Sequence, residues 1–434
     1  MHLLRYRAAA LGAMAVKTLP LVYGGAVILL VNTHLPRDSE LGVYSLAIAT
    51  FFILSLVGKS FALYPLIKFQ AEGTASAGVW SAGVTYWTVS QALGAALLWI
   101  LAPLAPNLFH APGLDQGMRW AAGIALVFIP RDLAAALLVA RRDMNRLFIL
   151  DACYFLTAAG GLAVLAARGT LDTANQVLAL NLAGGVLSTL AAPLLIRGRI
   201  PSWASPSPEV RARTARYGRD SLGIGIGDLV YTQLDYHLLG LFMGASEVAL
   251  YFAAKNFFRF YNAVTQAINL LMFPTSSNLF ARRETAKLKE LVEKVMGGYL
   301  GLLVIINLVV LIGADAIVAL VYRGIFPDAA NILRLFALAS FFEPLYMISE
   351  NVLYGIGKPR AILIAMWSSI PIFGILAVLL MPRLGAAGGA LTVLGTLMSL
   401  AVITLFFLHR ELAITPAGIV RRGLAVSRAM RGGR

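Results

Sequence analysis

Ten ionisable side chains lie deep inside apolar stretches of this 434-residue chain, where a charge needs either a partner or a task. Five are bases, Lys17, Lys59, Arg131, Lys255 and Arg259, and five are acids, Asp132, Asp228, Asp235, Glu343 and Glu350. A charge at the middle of a bilayer costs about 2.5–3.5 kcal/mol even on lenient insertion scales, so five bases facing lipid would cost about 12–17 kcal/mol. They must therefore face acids or a polar cavity. Two chemistries follow for them. One is static neutralisation in buried pairs, most directly at the adjacent Arg131 and Asp132. The other is recognition of an anion, because Arg and Lys supply charge-assisted donors where water is scarce. Lys255 and Arg259 are four apart and share a helix face, while Lys17 and Lys59 occupy the corresponding pair of helices earlier in the chain. The acids suggest a further role. Asp228 and Asp235 are seven apart, as are Glu343 and Glu350, so each pair would stack about two turns apart on one helix face. That is the spacing of a relay for a coupling proton or sodium ion, with counter-ion duty as the alternative.

The elements that hold these groups are membrane-spanning helices. Of the residues 59% are hydrophobic and 13% charged, against about 25% charged in a soluble domain. The apolar residues gather into runs of about 20, the length that crosses a hydrocarbon core. Twelve such spans are expected, near residues 9–32, 42–67, 80–103, 118–140, 147–167 and 175–196, then 220–243, 248–273, 296–321, 331–354, 361–381 and 385–408. They must be helices, since a backbone without water has to satisfy its own polar groups, and the runs lack the alternation of a barrel strand. Arg5 and Arg7 precede the first run, which is read as an uncleaved first helix.

The net charge of +15 is topological rather than a sign of nucleic acid. Twenty-five Lys and Arg residues fall on one side of the alternating loops and only Arg37, Arg168, Arg323 and Arg383 on the other. This places both termini on the cytoplasmic side of the membrane. The single cysteine, Cys153, reads as a small packed hydrophobe and excludes an intrachain disulfide.

A repeat divides the chain. Ser39-Glu40-Leu41-Gly42-Val43-Tyr44 after the first span matches Ser246-Glu247-Val248-Ala249-Leu250-Tyr251 after the seventh, 207 residues later. Pro65 and Pro274 are expected to end the two helices that follow. An even number of spans separates the copies, so the halves are parallel repeats. The expected organisation is a six-helix lobe over 1–200, a Pro- and Arg-rich cytoplasmic linker over 201–219, a second six-helix lobe over 220–408 and a basic cytoplasmic tail over 409–434.

With its six-plus-six division, these helix starts, Leu271-Met272-Phe273-Pro274-Thr275-Ser276-Ser277, and Tyr354-Gly355-Ile356-Gly357-Lys358-Pro359, the chain resembles the multidrug/oligosaccharidyl-lipid/polysaccharide exporter superfamily. Within it the resemblance is to the polysaccharide-transport branch that holds the O-antigen and exopolysaccharide lipid flippases. It implies an all-α integral membrane, V-shaped, alternating-access transporter. It also implies export of a polyprenyl-diphosphate-linked oligosaccharide, with the deep bases binding the diphosphate. A polysaccharide polymerase would be a partner, and membrane lipids and H+ or Na+ would complete the system.

Other positions carry two readings each. Asn256, Tyr261, Asn262, Gln266 and Asn269 could meet sugar hydroxyls or join helices. Trp80, Trp87, Trp99 and Trp120 suit aromatic belts at the membrane faces. Pro20, Pro344 and Pro371 are expected to kink helices. No phosphate-binding loop, metal spacing or nucleophile elbow appears, so no enzyme and no cofactor is expected. The rival reading of the same fold is an ion-coupled multidrug cation antiporter, which acidic rather than basic cavities would favour.

Overall fold

The computed structural model describes residues 18–20, 22–31, 38–71, 77–141, 143–198 and 200–432, and every regular element among them is helical. Lys17, with Arg5 and Arg7, lies outside the described residues. The helices form two compact units, Met1–Phe252 and Ala253–Arg434.

In the first unit, α1 (Asp38–Gly58) runs through a π-helical turn, Lys59–Leu63, into α2 (Tyr64–Ala71). Then come α3 (Ala77–Leu101), α4 (Leu114–Ala140), α5 (Met144–Ala167) and α6 (Ala174–Leu195), followed by α7 (Pro208–Thr232) and α8 (Leu234–Met243). α9 (Ala245–Ala281) begins in this unit and continues into the second. The second unit adds α10 (Thr285–Tyr322), α11 (Ala329–Ala339), α12 (Phe342–Gly355), α13 (Pro359–Leu412) and α14 (Pro416–Gly432).

Eight of the described helical segments are long and apolar enough to cross a membrane. One of them, α13, is two spans: Gly385 has φ 55° and ψ −132°, a conformation that only glycine adopts freely, and the chain doubles back there. The two arms meet closely, with Ser399 donating to Ser369 Oγ at 2.9 Å. A Cβ on Gly388 would stand 2.3 Å from the Leu380 carbonyl oxygen. Many bulky apolar residues point outward while some small polar ones are buried. Leu194 is 73% exposed and Leu320 82%, while Ser188 is fully buried. Hydrocarbon, not water, is the medium that suits this surface.

Several expectations need correction. Pro65 does not end the second span, and Pro274 lies inside α9. A proline ring clashes with the carbonyl four residues earlier, here Phe61. The helix answers by widening, with Tyr64 N–H bonding to the Lys59 carbonyl five residues back. The span then continues to Ala71. The tenth span is broken between Ala339 and Phe342, with Pro344 four residues after Ser340. Residues 208–219, expected within the linker, open α7, where Pro208 occupies the first turn and Ser207 caps it by accepting from Val210 N–H. The basic tail is α14, packed along α10: Arg422 Nε donates to Glu293 Oε2 at 2.9 Å, and Gly423 packs directly on the Gly297 backbone.

The repeated helix starts have structural work. Glu40 accepts from Ala174 N–H at 2.7 Å and so caps α6. Gly42 lies against the Ala245 backbone, where a Cβ would stand 1.9 Å from the carbonyl oxygen, and Tyr44 meets Phe252 edge-on at 6.1 Å. The starts of the two repeats thus pack against each other within the first unit.

Candidate functional site

In the first unit the π-turn carries Lys59 to α4. Its Nζ is 3.0 Å from Asp132 Oδ2, and its side chain keeps 34% exposure. Asp132 is 2% exposed and also accepts from Arg131 Nη1 at 2.6 Å. The other end of the guanidinium, Nη2, binds Asp151 on α5. The faces of Phe128 and Tyr154 lie 4.8 and 5.7 Å from the Arg131 guanidinium carbon. Two bases and two acids therefore balance in one cluster. The forked, planar guanidinium fits a site with a carboxylate at each end, a geometry a lysine cannot supply. Beyond it, Tyr154 donates to Asn181 Oδ1 at 2.6 Å and Tyr23 to the same oxygen at 3.0 Å.

Local sequence explains the placement. The widened turn at Pro65 sets Ser60 and Phe61 against α7, whose glycines permit the approach. A Cβ at Gly218 would stand 2.3 Å from the Phe61 carbonyl oxygen, and one at Gly225 would stand 2.3 Å from Ser60 Oγ. On α3, Trp87 is fully buried and donates to the Ile129 carbonyl at 3.2 Å, one turn before the cluster. Trp87 and Trp80, 6% exposed, are thus interior anchors rather than members of a belt, whereas Trp99 is 58% exposed beside Arg119.

The relay acids are arranged differently from expectation. The helix breaks at Gln233 (φ −131°), between Asp228 on α7 and Asp235 on α8, so the two do not stack on one continuous face. Asp235 is fully buried and accepts from the Tyr251 hydroxyl and from Tyr236 N–H. Two residues on, His237 Nε2 lies 2.8 Å from Thr50 Oγ1.

The second unit holds its own polar groups. Lys255 is 9% exposed and Arg259, one turn further along α9, is exposed. Glu343 and Glu350 share α12. Glu343 is 3% exposed and its Oε2 has no hydrogen-bond partner among the described residues. Nearby on this unit's helices Tyr261 donates to Asn307 Oδ1 at 2.7 Å, and Asn307 Nδ2 donates to Ser340 at 2.8 Å. Tyr261 is therefore a helix-joining group, while Asn256 and Asn269 are buried with neither amide atom bonded among the described residues. A small apolar cavity of about 210 Å³ in this unit is lined by Phe257, Tyr261, Tyr299 and Leu333.

Asp151 is the member of this charge cluster that the sequence did not reveal. It sits in the third turn of α5, near a span end, where an acid reads as interfacial. Only the α4–α5 packing shows that Arg131 needs a second carboxylate.

The chain shares its all-helical fold, with eight described segments long and apolar enough to cross a membrane, with solved membrane transporters. It is similar over 96% of its length, and 90% of the other chain, to a lipid II flippase MurJ in an inward closed conformation, with TM-score 0.76 and 13% identity. It is also similar over 92% of its length, and 94% of the other, to an inward-facing multidrug resistance MATE transporter, with TM-score 0.71 and 12% identity. Residues 34–323 match the family described as polysaccharide biosynthesis protein, and the chain belongs to that family. One relative is the probable low-salt glycan biosynthesis flippase Agl15 of Haloferax volcanii, 24% identical over 327 residues that span 73% of this chain and 67% of that one.

Proposed function

We propose that this protein is a flippase that moves a polyprenyl-diphosphate-linked oligosaccharide from the cytoplasmic to the outer leaflet of a plasma membrane for surface polysaccharide assembly. Family membership and the flippase relative support the substrate class. The observation that carries the chemistry is Lys59, an intramembrane ammonium with a third of its side chain exposed, held at a π-turn and completing a charge cluster that is neutral only with it. Lys59, Arg131, Lys255 and Arg259, with Lys17, are the proposed cations for the diphosphate. Asp228, Asp235, Glu343 and Glu350 are the proposed ion-coupling acids. The loop charge asymmetry supports cytoplasmic termini. The same acids, Asp235 and Glu343 above all, favour the multidrug cation antiporter as the second reading.

Deleting the gene and analysing lipid extracts by mass spectrometry tests the choice. A polyprenyl-diphosphate oligosaccharide is expected to accumulate and to disappear when the wild-type gene is restored. Unchanged lipids together with new sensitivity to cationic drugs would establish the antiporter instead.

A further inference from the structure

The cluster around Asp132 is asymmetric in how firmly it holds its two cations. Arg131 is clasped at both ends by carboxylates and covered on its faces by Phe128 and Tyr154. Lys59 touches the cluster at one point, Asp132 Oδ2, and is the only one of the four with a third of its side chain exposed. Asp132 Oδ2 has no hydrogen bond besides this ion pair. If Lys59 leaves, Arg131 still faces Asp132 and Asp151, and the buried group changes from neutral to a net charge of −1.

We propose that Lys59 is a switchable cation whose two partners are Asp132 and an anionic phosphate, and that binding of the phosphate is accompanied by uptake of one proton at Asp132. The proposal rests on the flippase reading and goes beyond it by assigning proton linkage to an acid outside the four coupling candidates. The balance is simple. Lys59 keeps its charge throughout and moves from the carboxylate to the phosphate oxygens. The carboxylate left behind, 2% exposed in a low-dielectric interior, gains a proton from solvent and the cluster returns to neutrality. Of the charged groups around Asp132, Arg131 is its neighbour on α4 and Lys59 comes from the π-turn, while Asp151 and Tyr154 on α5 meet Arg131. Among the described residues, α7 meets the π-turn at Gly225 and α3 meets α4 at Trp87, neither of which titrates. By linkage the sign is fixed: lower pH releases Lys59 and strengthens anion binding, by up to about tenfold per pH unit for one proton.

The test is calorimetric titration of the purified full-length protein with farnesyl diphosphate at several pH values, in buffers of different ionisation enthalpy, so that protons bound per anion are counted. Wild type is expected to take up close to one proton more than Asp132→Asn does, the difference removing the probe's own titration. Asp132→Asn, in which Lys59 has no carboxylate, is expected to bind more tightly than wild type at pH 7.5. Lys59→Gln is expected to bind at least tenfold more weakly, and Asp132→Glu to restore the linkage if the amide variant folds poorly. Equal proton uptake by wild type and Asp132→Asn, or weaker binding by a well-folded Asp132→Asn, would overturn the switch while leaving the flippase reading standing. Loss of the flippase reading shows elsewhere, as lipid-linked glycans that stay unchanged in cells lacking the gene.

Discussion

At the scale of single residues, the two bases of the first unit divide the labour expected of them. Arg131, clasped by Asp132 and Asp151, holds α4 to α5. Arg131→Met leaves two buried carboxylates facing one lysine, and breaking a buried pair in this way costs about 3–5 kcal/mol. That variant is expected to lose abundance and melt earlier in detergent. Lys59→Ala removes a partly exposed group and leaves Arg131 with both of its acids. It is expected to reach the membrane at near-normal level while abolishing glycan export, as are Lys255→Ala and Arg259→Ala. Immunoblots of membrane fractions beside lipid-linked glycan analysis separate the two outcomes. If Lys59→Ala vanishes from the membrane and Asp132→Ala restores it, the lysine is a structural counter-ion.

At the scale of elements, the contact that matters most is α7 on the π-turn. Gly218→Ala would press a methyl group against the Phe61 carbonyl, and overpacking of this kind costs about 1–3 kcal/mol. Gly223→Ala, on the same helix, meets nothing within 4 Å, and alanine is favoured over glycine in a helix by about 1 kcal/mol. Melting curves should therefore move in opposite directions for two changes five residues apart. A shared downward shift would show that α7 does not sit on the turn as described. Gly385→Ala at the bend of α13 is expected to destabilise by about 1–3 kcal/mol, because its backbone lies where side chains are strained.

At the scale of the whole molecule, the proposed orientation and energy coupling can both be checked. In a Cys153→Ala background, a membrane-impermeant thiol reagent applied to intact cells is expected to label Asp38→Cys, Thr170→Cys and Ile325→Cys. It is expected to spare Asp143→Cys, Ser205→Cys and Thr285→Cys. External labelling at 205 would overturn the division into two six-helix halves. In reconstituted vesicles, flipping is expected to respond to an imposed proton or sodium gradient, and Asp235→Asn to remove that response while binding persists. Wild-type flipping indifferent to both gradients would return Asp235, with its Tyr251 partner, to a structural role.

The membrane class, the helical spans and the repeat were legible in the sequence because each is a local property. Hydrocarbon thickness sets the length of an apolar run, and insertion sorts basic loops to one side. The presence of charged groups in the bilayer was legible for the same reason, since an intramembrane Lys or Asp stands out against its neighbours. Which charges meet was not legible, because pairing depends on how helices distant in sequence are rotated and brought together. Asp151 joins Arg131 across 20 residues and a turn, and Lys59 reaches Asp132 across 73. Nor could periodicity foresee that Pro65 would widen its helix rather than end it, or that the helix would break between Asp228 and Asp235. A proline removes one donor and displaces one carbonyl. Whether the chain then stops, kinks or swells is decided by the neighbour that packs there, here the glycine face of α7 at Phe61.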